Sequence, residues 1–319
     1  MPLRFTLRQL EYFVAVAEAG SITHASARVN VSSPSISAAI AQLEEEFGLQ
    51  LFVRKHAHGL SLTQAGRRMV EQARAVLQAA DAMNSAAGDI AGRVRGPLAL
   101  GCLLTFAQLI VPRLRREFEN SFPEARVSQL ELDQMEIFNR LRRAEIDVAL
   151  TYDLDIPSDL RFQPLAELPP YVLVAETHPL AQRAAVSVED LRPYPMVLLD
   201  LPFSSDYFLS FFTRAGERPE IVERTKDMAV MRSLVANGYG YAIANVRPLS
   251  DLSPDGRPLR FLPLTGGLRP MKLGLLMSAG AQGTLIVQAF AEHSRRFIEQ
   301  WGVPGINLPR LPPSDGDDD

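Results

Sequence analysis

Up to Ile90, apolar residues recur at helical spacing; beyond it they gather into short runs separated by amphipathic stretches. Leu10, Phe13, Val14 and Ala17 form one stripe, with Thr6 and Gln9 at capping-box spacing ahead of it and Gly20 as a stop behind. This predicts a first helix. Ser21 opens a second, carrying Ile22, Ala25 and Val29, and Asn30-Val31-Ser32 turns the chain into a third. Pro34 fits the start of that third helix, where its missing N–H would have had no partner. Ile36, Ile40, Leu43 and Phe47 then stack on one side as a core-facing stripe. The other side carries Ser33, Ser35, Ser37, Ala38, Ala39 and Gln42. Small and hydroxylic side chains let a helix approach a duplex closely and bond phosphates or base edges. The pair reads as a helix-turn-helix with residues 33–47 as recognition helix; an ordinary helical hairpin shares the pattern.

Leu51 to Leu62 holds two short apolar runs around a basic loop, which predicts a β-hairpin wing. Arg54, Lys55 and His56 sit where such a wing meets a phosphate backbone or minor groove. Thr63 caps a long helix from Gln64 to about Ala87, roughly 36 Å in length. Met69, Ala73, Val76, Ala80, Met83, Ala87 and Ile90 alternate spacings of four and three along it, the pattern of a coiled-coil seam. A narrow seam on an isolated rod implies a partner helix from a second copy of the chain; packing on the C-terminal domain is the alternative. Gly88, Gly92 and Gly96-Pro97 then mark a hinge.

From Leu98 the pattern alternates. Strands are expected at Leu98–Cys102, Ala125–Glu131 and Ile146–Leu150, with helices around Pro112–Phe118 and Met135–Arg143, a βαβαβ run that predicts a parallel sheet. A second unit follows, with strands at Tyr171–Ala175, Met196–Leu199 and Tyr241–Ala244 and helices at Phe208–Ala215 and Met228–Ala236. Val188–Leu191 is expected as a turn. Met271–Met277 returns as a strand before a closing amphipathic helix, Gly283–Trp301.

Composition narrows the function classes. Hydrophobic residues at 47% and charged residues at 22% are ordinary for a soluble protein, and no apolar run is long enough to span a bilayer. The net charge of -4 is matched by Asp315, Asp317, Asp318 and Asp319 in the tail. Residues 1–68 carry seven basic against five acidic side chains, so nucleic-acid binding must rest on where charges lie. One cysteine, Cys102, excludes an intramolecular disulfide and fits a reducing compartment. With no signal segment at the N-terminus, a cytoplasmic location is expected. The five histidines are scattered, and His56-x-His58 lacks a further ligand nearby. No phosphate-binding glycine loop, paired metal-ligand motif or nucleophile elbow occurs, so no cofactor, metal or catalytic residue is expected.

Leu7-Arg-Gln-Leu-Glu-Tyr-Phe13, Gly20-Ser21, Ala25, Val31-Ser-Ser-Pro-Ser-Ile-Ser37, Ile40, Leu43-Glu44, Gly48, Leu51-Phe52, Arg54, Leu62-Thr63 and Ala65-Gly66 resemble the N-terminal domain of LysR-type transcriptional regulators. Two positions depart from that pattern: Ser33, where the family usually has Gln, and Ala38, where it has a long polar residue. Sequence preference on DNA is therefore not transferable. The resemblance extends more loosely through Phe118, Pro123, Leu141, Asp147-Val-Ala-Leu150, Leu173-Val174, Pro179-Leu180 and Leu234-Val-Ala-Asn-Gly-Tyr-Gly240. It implies an α/β chain with an N-terminal winged helix-turn-helix (1–63), a linker helix and hinge (64–95) and an effector domain (96–308). That last domain would be two-lobed and similar to periplasmic binding proteins, with lobe I at 96–166 and 268–308 and lobe II at 167–267. A disordered acidic tail, 309–319, would follow. Double-stranded promoter DNA, a small-molecule effector and a homodimer or homotetramer are the implied partners. The other function class is a two-lobed α/β enzyme or ligand carrier with a helical partner-binding module.

Ligands of open parallel sheets sit beyond the carboxyl ends of the strands, where helix N-termini favour anions. This rule selects Thr105, Gln134, Thr151, Phe203, Ser204, Ser205, Tyr207 and Asn245. In Leu201-Pro-Phe-Ser-Ser-Asp-Tyr207, Ser204 and Ser205 are expected to donate to a polar or carboxylate group and Phe203 and Tyr207 to supply apolar walls. The same serines fit a plain helix cap equally well.

Overall fold

The structure is a computed structural model and describes residues 4–55, 59–90, 92–278 and 284–303. The expectations placed on His56, His58, Gly283 and the 309–319 tail lie outside these residues. The chain divides into two compact units, Met1–Ile90 and Ala91–Asp319.

The first unit is built from α1 (Leu7–Ala19), α2 (Ile22–Val29), α3 (Ser33–Phe47), a hairpin of β1 (Phe52–Lys55) and β2 (Gly59–Leu62), and α4 (Gln64–Ile90). Each short helix starts where a hydroxyl can accept an amide hydrogen. The Thr6 side chain accepts from Gln9 N inside a full capping box, Ser21 accepts from His24 N and Ser32 from Ser35 N. Gly20 and Asn30 end α1 and α2 in the left-handed conformation, which small or amide side chains tolerate. Leu10, Phe13 and Val16 of α1 meet Ala25 of α2 and Ile36, Ile40 and Leu43 of α3 in one core.

Val70 and Ala73 of α4 are buried in the same core, with Met69 and Leu77 half-buried beside them. The seam expected along α4 is therefore corrected over its first three turns, which have a partner within the chain because α1 lies against them. Farther along, Val76, Met83 and Ile90 are 42%, 75% and 90% exposed. Glu18 pairs with both Arg28 and Arg74, joining α1 to α2 and α4. Gly66 is required where α4 begins, since a Cβ there would collide with the Leu51 carbonyl oxygen.

The second unit comprises β3 (Gly96–Cys102), α5 (Leu104–Leu109), α6 (Val111–Ser121), β4 (Ala125–Glu131), α7 (Gln134–Arg142), β5 (Val148–Tyr152), β6 (Leu160–Leu168) and β7 (Tyr171–Ala175). It continues through α8 (Val188–Leu191), β8 (Met196–Leu199), α9 (Ser204–Arg214), β9 (Ile221–Thr225), α10 (Met228–Ala236), β10 (Ala242–Ala244), β11 (Leu259–Pro263), β12 (Met271–Ser278) and α11 (Leu285–Trp301). One lobe holds the five-stranded sheet β4-β3-β5-β12-β6. β3 runs parallel to β4 and β5, whereas β12 is antiparallel to β5 and β6. The parallel pairing expected of the βαβαβ run holds for β3, β4 and β5, and the sheet becomes mixed because β12 arrives from the other lobe and enters from the opposite end.

The other lobe places β7 between β10 and β11, both antiparallel to it, and joins the parallel pair β8-β9 through a Met196–Tyr241 bridge. Strands β6, β9 and β11 and helix α5 had no counterpart in the sequence reading, and the 188–191 segment is a helical turn rather than an open one. α6 and α11 cover one face of the five-stranded sheet, with Phe118 and Phe290 rings 5.1 Å apart. α7 covers the other through Ile137, Phe138 and Leu141.

Candidate functional site

Two surfaces carry the chemistry, one in each unit. On α3, the core takes Ile36, Ala39, Ile40 and Leu43, leaving Pro34, Ser35, Ser37, Ala38 and Gln42 exposed. Ala39, expected outside, is a correction: helical spacing puts it on the same side as Ile36 and Leu43. Ser33 is half-buried, and its hydroxyl donates to Ser26 Oγ at 3.1 Å, so it ties α3 to α2. Ser35 Oγ lies 2.8 Å from Ser32 Oγ, and Gln42 Oε1 accepts from Gln9 Nε2 at 2.8 Å. Arg54 and Lys55 lie on β1. Glu44 was not singled out as functional, yet its Oε1 accepts from Leu51 N at 2.7 Å and Phe52 N at 3.2 Å. One carboxylate on the recognition helix thereby fastens the root of the wing.

In the second unit a cavity of about 250 Å³ opens between the two lobes, close to the lower end of the roughly 300–1,000 Å³ typical of ligand pockets. Its walls are apolar, with Leu104, Leu201, Phe208, Met228 and Met271 among them. Of the eight expected effector residues, Thr105, Gln134, Ser204 and Asn245 line it. Thr105 and Ser204 are 8% and 7% exposed, and neither hydroxyl has a hydrogen-bond partner among the described residues. Gln134 is a brace as well as a wall: its Nε2 donates to the Tyr152 and Leu154 carbonyls, and its Oε1 accepts from the Thr151 hydroxyl. Asn245 Nδ2 donates to the Leu168 carbonyl at 2.6 Å, which fixes the orientation of its amide and leaves Oδ1 buried without a partner.

The other four are corrections. Thr151 is fully buried and spends its hydroxyl on Gln134. Ser205 turns its hydroxyl back to the Leu201 carbonyl at 3.3 Å. Tyr207 stacks edge-on against Phe211 at 4.8 Å, and its hydroxyl donates to the Arg269 carbonyl at 2.7 Å; burial pushes that phenol up to about 12. Phe203 sits at φ +63° before α9 and turns its ring onto Phe138 of the other lobe, 5.9 Å away. Phe203 and Tyr207 border a separate hollow beside Leu154 and Arg269 instead. Neither serine caps α9, which begins without a side-chain cap.

Of the charged groups at the cleft, only Asp133 stood among the strand ends that the sequence marks, and none was assigned a ligand contact. Glu131, Asp133 and Glu136 line one side and Lys226 the other. Asp133 and Glu136 form a capping box on α7, a signal already present in the Asp-x-x-Glu spacing. Cys102 is fully buried on β3, and burial pushes its thiol up to about 12, far from the thiolate a reactive cysteine needs. Among the described residues there is no group of three or more His, Cys, Asp or Glu able to hold a metal, and no helix long and apolar enough to cross a membrane.

Comparison with known proteins places both units. Residues 7–67 match the bacterial regulatory helix-turn-helix proteins of the lysR family, and residues 91–298 match the LysR substrate binding domain. The HTH-type transcriptional regulator YvbU of Bacillus subtilis (strain 168) is 29% identical over 296 residues, 92% of this chain and 99% of that protein. The crystal structure of HinK, a LysR family transcriptional regulator from Pseudomonas aeruginosa, is 32% identical with a TM-score of 0.62, covering 92% of this chain and 98% of that one. Full-length CbnR in complex with its target DNA is 25% identical with a TM-score of 0.67, covering 92% of this chain and all 100% of that one. The chain belongs to the LysR family: it is a DNA-binding transcriptional regulator that joins a helix-turn-helix domain to an effector-binding domain.

Proposed function

We propose that this regulator reads promoter DNA with the exposed face of α3 and is switched by a small molecule held in the cleft between the two lobes. Pro34, Ser35, Ser37, Ala38 and Gln42 enter the major groove, and Arg54, Lys55 and His56 meet the phosphate backbone. Ser33 acts indirectly, by setting the angle between α2 and α3. The observation that carries this reading is the buried, partnerless Oδ1 of Asn245, set in an apolar cavity that Thr105 and Ser204 also line. Groups of that kind are costly unless a ligand or ordered water completes them. Gln134 supports the wall rather than recognising the ligand.

The regulator works as an oligomer, a dimer or tetramer, through the exposed stripe Val76, Met83 and Ile90 of α4. Paired recognition helices then match the two half-sites of a palindromic operator. It acts in the cytoplasm, by binding and without catalysis. Effector occupancy shifts the population of assemblies only as far as the ligand binds one better than another.

Titrating labelled promoter DNA tests the first half. Affinity should fall steeply with salt, and Pro34→Gly with Ser35→Ala should lower it while leaving the melting temperature of the second unit unchanged. Operator affinity equal to wild type in that variant removes α3 from the interface.

A further inference from the structure

The cleft is chemically biased, and the bias runs against the anion that its topology suggests. Helix N-termini attract anions when their amides are free. Here two of the helices that start at the cleft, α7 and α10, bring their own carboxylates. Asp133 Oδ1 accepts from Glu136 N at 2.8 Å at the start of α7, and Asp227 Oδ1 accepts from Ala229 N at 2.7 Å and Val230 N at 3.1 Å at the start of α10. At α9, Ser204 N and Ser205 N are already spent on the Pro202 and Leu201 carbonyls.

Charge points the same way. Glu131, Asp133 and Glu136 line the cavity against Lys226, the one cation lining it among the described residues. An anion entering there meets a net negative edge, and a cation meets a favourable one. A second observation is independent of the acidic edge. Asn245 is 4% exposed and lines the same cavity; with its Nδ2 held by Leu168, the partnerless Oδ1 can be satisfied only by a hydrogen-bond donor. Thr105 and Ser204 accept as readily as they donate.

We propose that the effector is an organic amine: an apolar body lies against Leu104, Leu201, Phe208 and Met228, the ammonium end sits at Glu131 and Asp133, and a donor group reaches Asn245. This rests on the cleft being the effector site. A ligand that offers donors and positive charge complements the Asn245 acceptor and the acidic edge; Lys226 is exposed to solvent, and the short α5, which begins at the cleft without a side-chain cap, is left to its own amides. The expectation that the serines at α9 receive a carboxylate is replaced.

Calorimetry on the full-length protein with 2-phenylethylamine, phenylacetate and 2-phenylethanol separates charge from shape. The amine should bind, the carboxylate at least tenfold more weakly, and added NaCl should weaken the amine alone. Glu131→Gln and Asp133→Asn, the latter retaining a helix-capping side chain, should each weaken the amine about threefold and leave the alcohol unchanged. Phenylacetate binding as tightly as the amine, amine binding indifferent to both substitutions, or no binding by any of the three would overturn the proposal. Ser204→Leu, melting as wild type, keeps the two readings apart. If a carboxylate binds and that variant abolishes it, the cleft stands and the amine falls; if Ser204→Leu leaves all binding intact, the cleft itself is not the site.

Discussion

Removing the Glu44 carboxylate should free the wing from the recognition helix. Glu44 Oε1 takes hydrogen bonds from Leu51 N and Phe52 N, the amides on which the hairpin strand begins. Hydrogen bonds to an ionised acceptor contribute about 1.5 kcal/mol each at the low end. Both are half-buried, and water recovers part of the loss, so Glu44→Ala should cost about 2 kcal/mol and Glu44→Gln, which keeps an acceptor oxygen, about 1 kcal/mol. The global fold survives such a loss, because Phe13, Leu43 and Leu51 remain packed in the core. What opens is local. A 2 kcal/mol penalty raises the open population about thirtyfold, and amide exchange at Leu51 and Phe52 should accelerate by that factor. Operator affinity should drop about fivefold, since an unpinned wing orders its phosphate contacts only at an entropic cost. Hydrogen exchange measured by mass spectrometry on the full-length protein reads the first effect, and a DNA titration reads the second. Exchange at those two amides within threefold of wild type in Glu44→Ala would refute the fastening role.

Charge placed on the exposed part of α4 should act on assembly alone. Met83→Glu, at a position 75% exposed, should shift sedimentation toward the monomer without lowering the melting temperature, and an unchanged sedimentation coefficient would exclude this stripe as the interface. Cys102 should resist thiol reagents at pH 8 in the native protein and react only as the second unit unfolds; rapid labelling would contradict its burial and raised thiol pKa. His293 should make the second unit acid-sensitive. Burial lowers its pKa below the ordinary 6.5, so the unfolded chain binds the proton more tightly. The stability it confers is present above pH 6.5 and is lost as pH falls from there through the depressed value. Calorimetric melting should therefore fall from pH 7 to pH 5, and His293→Asn should flatten the curve; an equally steep variant would assign the loss elsewhere.

Local signals were legible where the structure is local. Thr6 with Gln9, Ser21, and Ser32 with Pro34 begin their helices where the sequence placed them, because capping is settled within four residues of chain. Edge strands were not. Leu160–Leu168 carries Arg161, Gln163 and Pro164 because β6 lies at the sheet's edge, where a missing amide and polar side chains are tolerated. Ile221–Thr225 is similarly half in solvent. The direction of β12 depends on its return from the other lobe, which no local pattern encodes. On α4 two stripes overlap: Val70, Ala73 and Leu77 face α1, while Val76, Met83 and Ile90 do not. A single heptad template merged them, since a straight helix drifts relative to a seven-residue repeat.

For the cleft, the strand-end rule named four residues that line the cavity and could not tell which way each side chain points. Thr151, near the carboxyl end of β5, is locked to Gln134, whereas Thr105, on α5 just past the end of β3, opens onto the cavity. Successive strand residues face opposite sides, so a position at a strand end carries direction only once the sheet's layers are known. The ligand's charge was nearer to hand than its contacts. Asp133 with Glu136, and Asp227 ahead of Met228, stand in the sequence as cap residues of the helices that open at the cleft. A helix start that carries its own carboxylate has little electrostatic reason to recruit another. At α7 and α10 the preference for an anion is thus already answered by the chain's own side chains, whereas the acceptor on Asn245 is left without a partner.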